Sequence, residues 1–361
     1  MSTVTARVGA LLEGKEPKTL QAVVGFDGYI DELDRVVQSV AADGSCTFFP
    51  TISSFAQRLA EAAGKSADIE TVSTEVKLGG NAPILANALT QLGVDTTCIG
   101  AMGSPELRDV FQEMAKTCRC ISLCNPAYTN ALEFDDGKIM LANAKPLEGL
   151  DWPRVKEVVG LERVIALFEG CTLAAMVNWG GVIGSEDIWA GIRQEVLPRL
   201  EKKERLFFFD LADPSKRTAE QICGVLEQIR SFSPFGRVIL GMNENEALRV
   251  SAAAGGPADT PERAAKALYD RLQIDALVVH PIDRCIGVTC DGAVTEYGHV
   301  VAKPVISTGG GDNFNAGFCL GLMLGCRLQD AMIMGMATSG YYVGNGHSPT
   351  LEQLLQQLKD F

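Results

Sequence analysis

The sequence lacks the features that mark membrane, secreted and nucleic-acid-binding proteins. No run of about 18 apolar residues, as a membrane-spanning helix requires, is present, and the opening MSTVTARVGALLEGKEPKTL contains no apolar segment of signal-peptide length. Basic residues form no cluster, and 45 acidic against 32 basic residues give a formal net charge of −13. DNA and RNA binding requires basic side chains that neutralise phosphates. We therefore expect a cytoplasmic protein without a membrane or nucleic-acid partner.

Zinc ligands are also scarce. The chain has 3 histidines, and its 11 cysteines are an odd number that lies mostly in apolar stretches such as TTCIG and AGFCLGLMLGC. The one cysteine cluster, Cys118, Cys120 and Cys124, lacks the CxxC spacing of common zinc sites. We expect reduced, buried thiols rather than disulfides or a metal site at this cluster.

Length and composition indicate one large globular domain. The 361 residues are 47% hydrophobic, and no Ser/Pro-rich linker divides them. A chain of this kind can bury a substantial core, and α/β proteins often use this length for a single domain. We therefore assign residues 1–361 to one domain.

Short apolar runs alternate with helical patterns along most of the chain. The runs are QAVVGF (21–26), TTCIG (96–100), LAAMVNW (173–179), RLFFFD (205–210), RVILG (237–241) and DALVVH (275–280). The segments between them repeat apolar residues every three or four positions, as helices do: NAPILANALTQLG, SPELRDVFQEMAK, SEDIWAGIRQEVLPRL and ERAAKALYDRL. This alternation predicts a doubly wound α/β fold, in which helices cover both faces of a mainly parallel sheet. Ligands of such folds bind beyond the carboxyl ends of the strands.

Three segments interrupt this alternation: residues 31–54, 71–79 and 121–145. They have the pattern of short strands and turns without a long helix, as in NALEFDDGKIMLANAK. We expect them to form a small β-rich flap beside the main sheet.

The stretch STGGGDNFNAGF, residues 307–318, combines three glycines with a carboxylate at a predicted helix start. We place it at a strand-to-helix junction, with VVAKPVIS (300–307) as the lead-in. Gly309, Gly310 and Gly311 permit unusual backbone dihedrals and can turn their N–H groups toward one anion, which the helix dipole also favours. Asp312 then has two interpretations: it caps the helix, or it is a base that removes a proton from an attacking hydroxyl.

Two further stretches place polar residues at predicted helix starts. In KLGGNAPILANALTQLG (77–93), Asn81 follows a glycine pair that ends at Gly80, and it is suited to capping the helix or to bonding a ligand hydroxyl. In GMNENEALRV (241–250), Asn243 and Glu246 share one helix face. That pair is suited to holding a water or a hydrated magnesium ion, while Asn243 as a plain N-cap is the alternative.

Polar and glycine residues also follow two of the predicted strands. Asp27 and Asp31 come after the first strand, in VVGFDGYIDELDRVV, and are suited to accepting hydrogen bonds from sugar hydroxyls, although solvated surface acids have the same pattern. The glycines of NWGGVIG (178–184) either line an acceptor pocket or form an ordinary strand-to-helix turn.

The order of these motifs resembles that of the ribokinase-like, PfkB-type carbohydrate kinase family. Acidic residues after strand one, GGN before a helix, NxxE in the second half and a Gly-rich loop ending in Asp follow one another as in that family. The tail GNGHSPTLEQLL is also similar to the family's usual ending, so that the resemblance spans nearly the whole chain. It implies an ATP- and magnesium-dependent kinase for a sugar or sugar-like acceptor, with the three β-rich segments as a lid.

The resemblance also implies roles for individual residues. Asp312 would be the base, and Gly309, Gly310 and Gly311 the anion hole for the transferring phosphoryl group. The nucleotide and phosphate side would include Asp210, Asn243, Glu246 and Thr308, with Asn243 and Glu246 organising magnesium through water. The acceptor side would include Asp27, Asp31, Gly80 and Asn81. Lids of this family often pair between subunits, which implies a homodimer.

The chain departs from the family pattern in two places. Ile306 stands where the family typically has an Asp of a monovalent-cation site, so the resemblance does not extend to potassium activation. Pro281, Ile282 and Asp283 stand where a small, Gly-rich turn is typical, so we expect different adenine contacts.

Three alternatives remain within this fold. The donor could be ADP, or the acceptor could be a nucleoside, whose base would stack on Phe26, Tyr29 or Phe48, although each suits a core equally well. A ligand-binding protein that has lost catalysis is the third, but such a protein has no need of the base Asp312 beside an anion hole. A Rossmann dehydrogenase is disfavoured because VVGFDG lacks GxGxxG and the Gly-rich loop lies near the C-terminus.

Overall fold

A computed structural model of the chain describes residues 3–12, 17–201 and 204–360. Residues 1–2, 13–16, 202–203 and 361 of the predicted domain lie outside this description. No helix of the described residues is both long enough and apolar enough to cross a bilayer.

The described residues alternate between strands and helices, as the apolar pattern predicts. The strands are β1 (Gln21–Gly25), β2 (Tyr29–Val40), β3 (Cys46–Phe48), β4 (Thr71–Gly79), β5 (Asp95–Ala101), β6 (Arg119–Cys124), β7 (Ala127–Phe134), β8 (Gly137–Asn143), β9 (Leu173–Val177), β10 (Leu206–Asp210), β11 (Arg237–Met242), β12 (Ala276–Val279), β13 (Arg284–Thr289) and β14 (Gly292–Tyr297). The helices are α1 (Thr3–Leu12), α2 (Ile52–Glu61), α3 (Asn81–Gln91), α4 (Asp109–Gln112), α5 (Trp152–Val159), α6 (Leu161–Gly170), α7 (Ser185–Gly191), α8 (Ala219–Arg230), α9 (Glu244–Ala253), α10 (Pro261–Leu272), α11 (Gly310–Met323), α12 (Leu328–Asn345) and α13 (Leu351–Gln357).

A nine-stranded sheet forms the centre of the molecule, in the order β14-β13-β12-β11-β10-β9-β1-β5-β6. The strands from β12 to β6 in this order are parallel, and β13 and β14 are antiparallel at one edge. All six strands predicted from apolar runs lie in the parallel part. The predicted mainly parallel sheet is therefore confirmed.

Two hydrophobic cores cover the two faces of this sheet. Strand β10 contributes to both, because Phe207 and Phe209 pack into one core and Phe208 into the other. Helices α5 to α10 supply the first core, and α1, α3 and α11 to α13 supply the second. Helices on both faces explain why the parallel strands are near-continuous apolar runs rather than alternating ones. The doubly wound α/β fold is confirmed.

Polar residues follow the parallel strands along the edge of the sheet that their carboxyl ends form. Asp27, Asn178, Asp210, Asn243 and His280 each lie at or within two residues of the end of β1, β9, β10, β11 or β12. Because neighbouring parallel strands end at the same edge, this edge is the expected ligand-binding edge of the fold.

A second, five-stranded sheet lies beside the first and contains β2, β3, β4, β7 and β8. β2 pairs with β7 on one side and with β4 and β3 on the other, and β7 pairs with β8. The three segments predicted as a flap supply these strands.

Three expectations about local structure were wrong. Residues 121–124 of the predicted flap belong to β6 of the large sheet, where they pair with β5, since their apolar side chains reach the first core. Residues 300–307 form no strand, because Pro304 lacks an N–H and the N–H groups of Val305 and Ile306 bond to Val343 instead. The predicted helix at 104–116 is reduced to Asp109–Gln112 and a 3-10 turn at Met114–Lys116. The predicted helix at 185–200 is helical from Ser185 to Arg199, but it changes from α to π geometry at Ile192 and to 3-10 geometry at Leu197.

Candidate active site

Asp27 lies at the ligand-binding edge, two residues after the end of β1, and is fully buried. Its carboxylate accepts hydrogen bonds from the backbone N–H groups of Asn81 (2.9 Å) and Ala82 (2.8 Å) and from the side-chain amide of Asn178 (2.6 Å). Burial raises the pKa of Asp27 to about 6, and these three donors oppose the rise. Asp27 therefore joins the end of β1 to the start of α3.

The glycine pair before α3 leaves room for two carboxylates. A Cβ on Gly79 would lie 2.3 Å from the carboxyl carbon of Asp31, and a Cβ on Gly80 would lie 2.8 Å from Asp27 Oδ2. Gly80 also has φ 91°, which favours glycine. The glycines thus bring the backbone close to Asp27 and Asp31.

Asn81 and Asp312 meet across the site. The side-chain amide of Asn81 donates to Asp312 Oδ1 at 2.9 Å. Neither residue caps its helix, because Gly80 and Gly309 occupy the N-cap positions of α3 and α11. The N-cap interpretations of Asn81 and Asp312 were wrong, since Asn81 is the first residue of α3 and Asp312 is the third residue of α11.

The loop before α11 presents free backbone donors next to Asp312. Gly309 is the N-cap of α11 and has φ 90°, and the N–H of Gly310 bonds to the Ser307 carbonyl at 3.2 Å. Within the described residues, no backbone carbonyl accepts a hydrogen bond from the N–H groups of Gly309, Gly311 or Asp312. These three donors lie at the amino end of a helix, where an anion is stabilised.

Three buried carboxylates lie beside this loop, and their burial disfavours the ionised form of each. Burial raises the pKa of Asp312 well above its usual range, and the charges of Asp210, Asp27 and Glu246 raise it further. Burial also raises the pKa of Glu246 to about 8, with Asp210 adding to the rise. Burial raises the pKa of Asp210 against hydrogen bonds from the Ala212 N–H and the Asn315 amide.

These carboxylates fit a magnesium ion held through water. In the part of the chain that the structure describes, no three His, Cys, Asp or Glu side chains are placed to share one metal ion directly. Mg²⁺ usually keeps several waters and binds through one or two carboxylates together with substrate phosphates. A cation held in this way would offset the mutual repulsion of Asp210, Glu246 and Asp312.

Asn243 and Glu246 form a capping box at the start of α9. Asn243 Oδ1 accepts from the Glu246 N–H, and Glu246 Oε2 accepts from the Asn243 N–H, both at 2.9 Å. The N-cap interpretation of Asn243 is confirmed. The cap uses one oxygen of each side chain and fixes both residues at the same edge as Asp210.

One face of the second sheet carries charged side chains toward the loop before α11. Asp31 is buried in β2, pairs with Lys77 of β4 and with Thr129 of β7, and accepts a hydrogen bond from the Thr129 hydroxyl. Burial raises the pKa of Asp31 against that bond and the charges of Lys77 and Lys138. Lys138 of β8 contacts the hydroxyl of Thr308.

A largely apolar cavity of about 390 Å³ opens on the other side of the loop. Its lining includes Gly310 and Gly311 together with Pro281, Ile282 and Phe314. His280 is half-buried, and its ring stacks on Phe314 at 4.4 Å between centroids. Its buried Nε2 has no hydrogen-bond partner in the described chain. A cavity of this size and lining suits a flat, partly apolar ligand.

The structure brings together all the site residues named from the sequence, and it adds others. Asn178 holds Asp27, although the sequence drew attention only to the glycines of that segment, and Lys77, Lys138 and His280 were not predicted. Phe26 and Tyr29 are buried in the first core, which was the alternative to a stacking role. Ile306 is buried, as an apolar side chain at that position requires.

Comparison with known proteins identifies the family. The model of the prokaryotic ketohexokinase family matches residues 13–361. The chain belongs to this family. It is also 30% identical to the ketohexokinase of Haloferax volcanii over 336 residues, which cover 92% of this chain and 89% of that relative. The kinase is therefore a PfkB-type carbohydrate kinase, a phosphotransferase with an alcohol group as acceptor, as the motif order predicted.

Solved structures show the same fold. The ribokinase of Thermotoga maritima is 15% identical, with a TM-score of 0.63, and covers 94% of this chain and 99% of its own. A putative ribokinase II of E. coli, in complex with ATP and Mg²⁺, is 14% identical, with a TM-score of 0.67 and coverage of 95% and 99%. The ribokinase-like fold of this kinase is thus confirmed.

Proposed function

We propose that this kinase transfers the γ-phosphate of ATP to a hydroxyl of a ketohexose, with Asp312 as the base. The observation that carries the proposal is the position of Asp312 beside free N–H donors of the loop before α11. Phosphoryl transfer depends mainly on positioning and on stabilising charge, and this arrangement supplies both beside a proton acceptor. We choose a ketohexose as the acceptor because the Haloferax volcanii relative is named a ketohexokinase.

In this proposal, Asp312 takes the proton of the acceptor hydroxyl as that oxygen attacks the γ-phosphorus. The hydrogen bond from Asn81 orients the carboxylate of Asp312. Burial and neighbouring charges raise the pKa of Asp312, which makes its ionised form a stronger proton acceptor. The N–H groups of Gly309, Gly311 and Asp312 stabilise the negative charge on the transferring group.

Asp210, Asn243 and Glu246 hold magnesium in the proposal, mainly through water. A magnesium ion supplies positive charge that neutralises the phosphates during transfer. The support for it is the buried acidic group described above and the ATP and Mg²⁺ complex of the E. coli neighbour. Thr308 lies on the phosphate side, where its hydroxyl meets Lys138.

The acceptor sugar contacts Asn81 and the charged face of the second sheet in this proposal. Asp31 and Lys77 provide an acceptor and a donor for sugar hydroxyls on that face. Asp27 and Gly80 act less directly, because the Asp27 carboxylate already holds the start of α3. We propose that the second sheet is a lid of the single kinase domain, which excludes water that would compete for the phosphoryl group.

The experiment is a coupled nucleotide-consumption assay with magnesium. D-Fructose, other ketohexoses, aldohexoses, ribose and adenosine are offered as acceptors, each with ATP or with ADP. The proposal expects the highest kcat/KM for a ketohexose with ATP. A preference for adenosine would favour the nucleoside kinase alternative, and consumption with ADP alone would favour an ADP-dependent kinase. Nucleotide binding without turnover on any acceptor would favour the non-catalytic alternative.

We also propose that the outer face of the second sheet forms a homodimer. Val76, Tyr128 and Leu141 lie on the face opposite Asp31 and are between 45% and 55% exposed. Exposed apolar clusters on a sheet often mark a contact surface. Sedimentation equilibrium of the wild type and of Leu141→Lys tests this. A monomeric wild type, or a dimer that survives the substitution unchanged, contradicts it.

A further inference from the structure

A second cavity lies at the amino ends of the parallel strands of the large sheet, and the candidate active site lies at their carboxyl ends. Its volume is about 430 Å³, and its lining includes Thr172, Arg205, Gly236, Arg237, Leu322 and Met323. These residues lie at or just before the starts of β9, β10 and β11 and at the end of α11. The cavity therefore shares no lining with the site that holds Asp312.

Arg205 is the unusual residue of this cavity. Its side chain is 2% exposed, and neither Nε nor Nη2 has a hydrogen-bond partner in the described chain. A guanidinium group keeps its charge at any pH at which the protein is folded. Burying a charged donor without a partner is strongly destabilising, so a missing acceptor is expected here.

The two unpartnered nitrogens indicate the shape of that acceptor. Nε and Nη2 form one edge of the planar guanidinium group, and this edge binds the two oxygens of a carboxylate or phosphate side-on. Other described arginines with an unpartnered buried nitrogen, at positions 35, 193 and 217, have only Nε in this state. Arg205 is thus the one described arginine in which both nitrogens of this edge are buried and unpartnered.

The rest of the lining suits a small anion with a carbon portion. Arg237 adds a second positive charge, and Leu206, Leu322 and Met323 provide an apolar wall. Glu204 also contributes to the lining, but its side chain is exposed and makes no ion pair in the described chain. The volume lies within the range of about 300–1,000 Å³ that is usual for small-molecule sites.

We propose that this cavity binds a small oxyanion, a carboxylate or a phosphate group, side-on to Nε and Nη2 of Arg205. The competing explanation is that the negative pole at the carboxyl end of α11 stabilises the guanidinium group by itself. In that case no anion is needed. The two explanations differ in what added anions do to the protein.

The test is thermal unfolding of the full chain at constant ionic strength in sodium chloride, sodium phosphate or sodium succinate. At saturation, one of the two oxyanions is expected to raise the Tm of the wild type by about 3 °C relative to chloride. Arg205→Met is expected to lose this rise. Arg193→Met is the matched control, because Arg193 also has an unpartnered Nε but does not line the cavity.

Phosphate could also bind at the loop before α11, so a further variant separates the two places. The rise in Tm is expected to persist in Lys138→Ala, because this substitution alters the candidate active site and leaves the second cavity unchanged. A rise with phosphate alone supports a phosphate site, and a rise with succinate alone supports a carboxylate site. No rise with either anion, or a rise that survives Arg205→Met, overturns the proposal.

Folding of the variants is checked in chloride alone. Arg205→Met is expected to be at least as stable there as the wild type, because it removes an unpaired buried charge. If Arg205→Met does not fold, Leu322→Trp replaces it, since the larger side chain fills the cavity and leaves Arg205 in place. Leu322→Trp is then expected to lose the rise, and a retained rise contradicts the proposal.

Discussion

The side-chain amide of Asn81 donates a hydrogen bond to Asp312 across 2.9 Å, although the two residues are 231 positions apart in the sequence. This bond links the first turn of α3 to the first turn of α11. In our proposal, it joins the acceptor side of the site to the phosphate side, and it fixes the orientation of the carboxylate that acts as the base.

Replacing Asn81 by alanine is expected to move the acidic limb of the pH–rate profile to higher pH. The bond from Asn81 lowers the pKa of Asp312 against the effect of burial, so its loss raises that pKa further. The base then stays protonated up to a higher pH. We expect kcat/KM to fall by about tenfold near neutrality as well. A profile that keeps its shape and position contradicts the contact's role in tuning Asp312.

Replacing Glu246 by glutamine is expected to make stability less sensitive to pH. Burial raises the pKa of Glu246 to about 8 from 4.5, so the folded state favours the neutral form. The wild type therefore loses stability as the pH rises from 4.5 through 8, and Glu246→Gln does not. Glutamine also keeps the capping box.

We expect Glu246→Gln to exceed the wild type at pH 8.5 by on the order of 1 kcal/mol in the free energy of unfolding. Magnesium should narrow this gap, since it stabilises the charged carboxylate. Chemical denaturation at pH 5 and pH 8.5, with and without Mg²⁺, measures both effects. Glu244→Gln, at an exposed position of the same helix, is the control. Equal pH dependence of both variants and the wild type argues against the raised pKa of Glu246.

Replacing Lys138 by alanine is expected to weaken the contact between the second sheet and the loop before α11. Lys138 of the second sheet contacts Thr308, and we propose that it lies beside the phosphates of ATP. A hydrogen bond to a charged group typically contributes about 1.5–3 kcal/mol. We expect kcat/KM for ATP to fall roughly 10- to 100-fold. Lys145→Ala, just beyond the end of the same strand, is expected to leave kcat/KM unchanged. Equal effects of the two substitutions contradict a specific role for Lys138.

Replacing Gly79 by alanine is expected to damage the site through a single methyl group. The added Cβ would lie 2.3 Å from the Asp31 carboxyl carbon, so the carboxylate or the strand must shift. We expect a loss of about 1–3 kcal/mol in stability and a higher KM for the acceptor. Gly224→Ala has nothing within 4 Å of its Cβ and lies inside α8, so it is expected to stabilise by about 0.5–1 kcal/mol. A Gly79→Ala variant with the stability and the acceptor KM of the wild type contradicts this close approach.

The sequence predicts those parts of the fold that depend on local pattern. The six parallel strands are apolar runs buried on both faces, and their order with the intervening helices defines the sheet edge at which the polar residues meet. The motif order then indicates the kinase family. Strand pairing is less local: residues 121–124 join the large sheet and the next strand joins the small one, with only two residues between them.

The contacts that complete the site are long-range, and no local pattern reports them. Asn81 and Asp312 look like helix caps in the sequence, but glycines at 80 and 309 take the cap positions. The carboxylate of Asp27, which follows β1, then accepts the hydrogen bonds from the N–H groups at the start of α3. Lys138 meets Thr308 only because the second sheet folds over the loop, which sequence spacing does not encode.

The most direct test of the account compares the wild type with Asp312→Asn at saturating ATP, magnesium and the preferred ketohexose. Asparagine has nearly the shape of aspartate and keeps an oxygen for the Asn81 bond, but it cannot take a proton. The account predicts that kcat falls by about 10²- to 10⁴-fold while the Kd for ATP changes by less than about threefold. A kcat within tenfold of the wild type would contradict the assignment of Asp312 as the base.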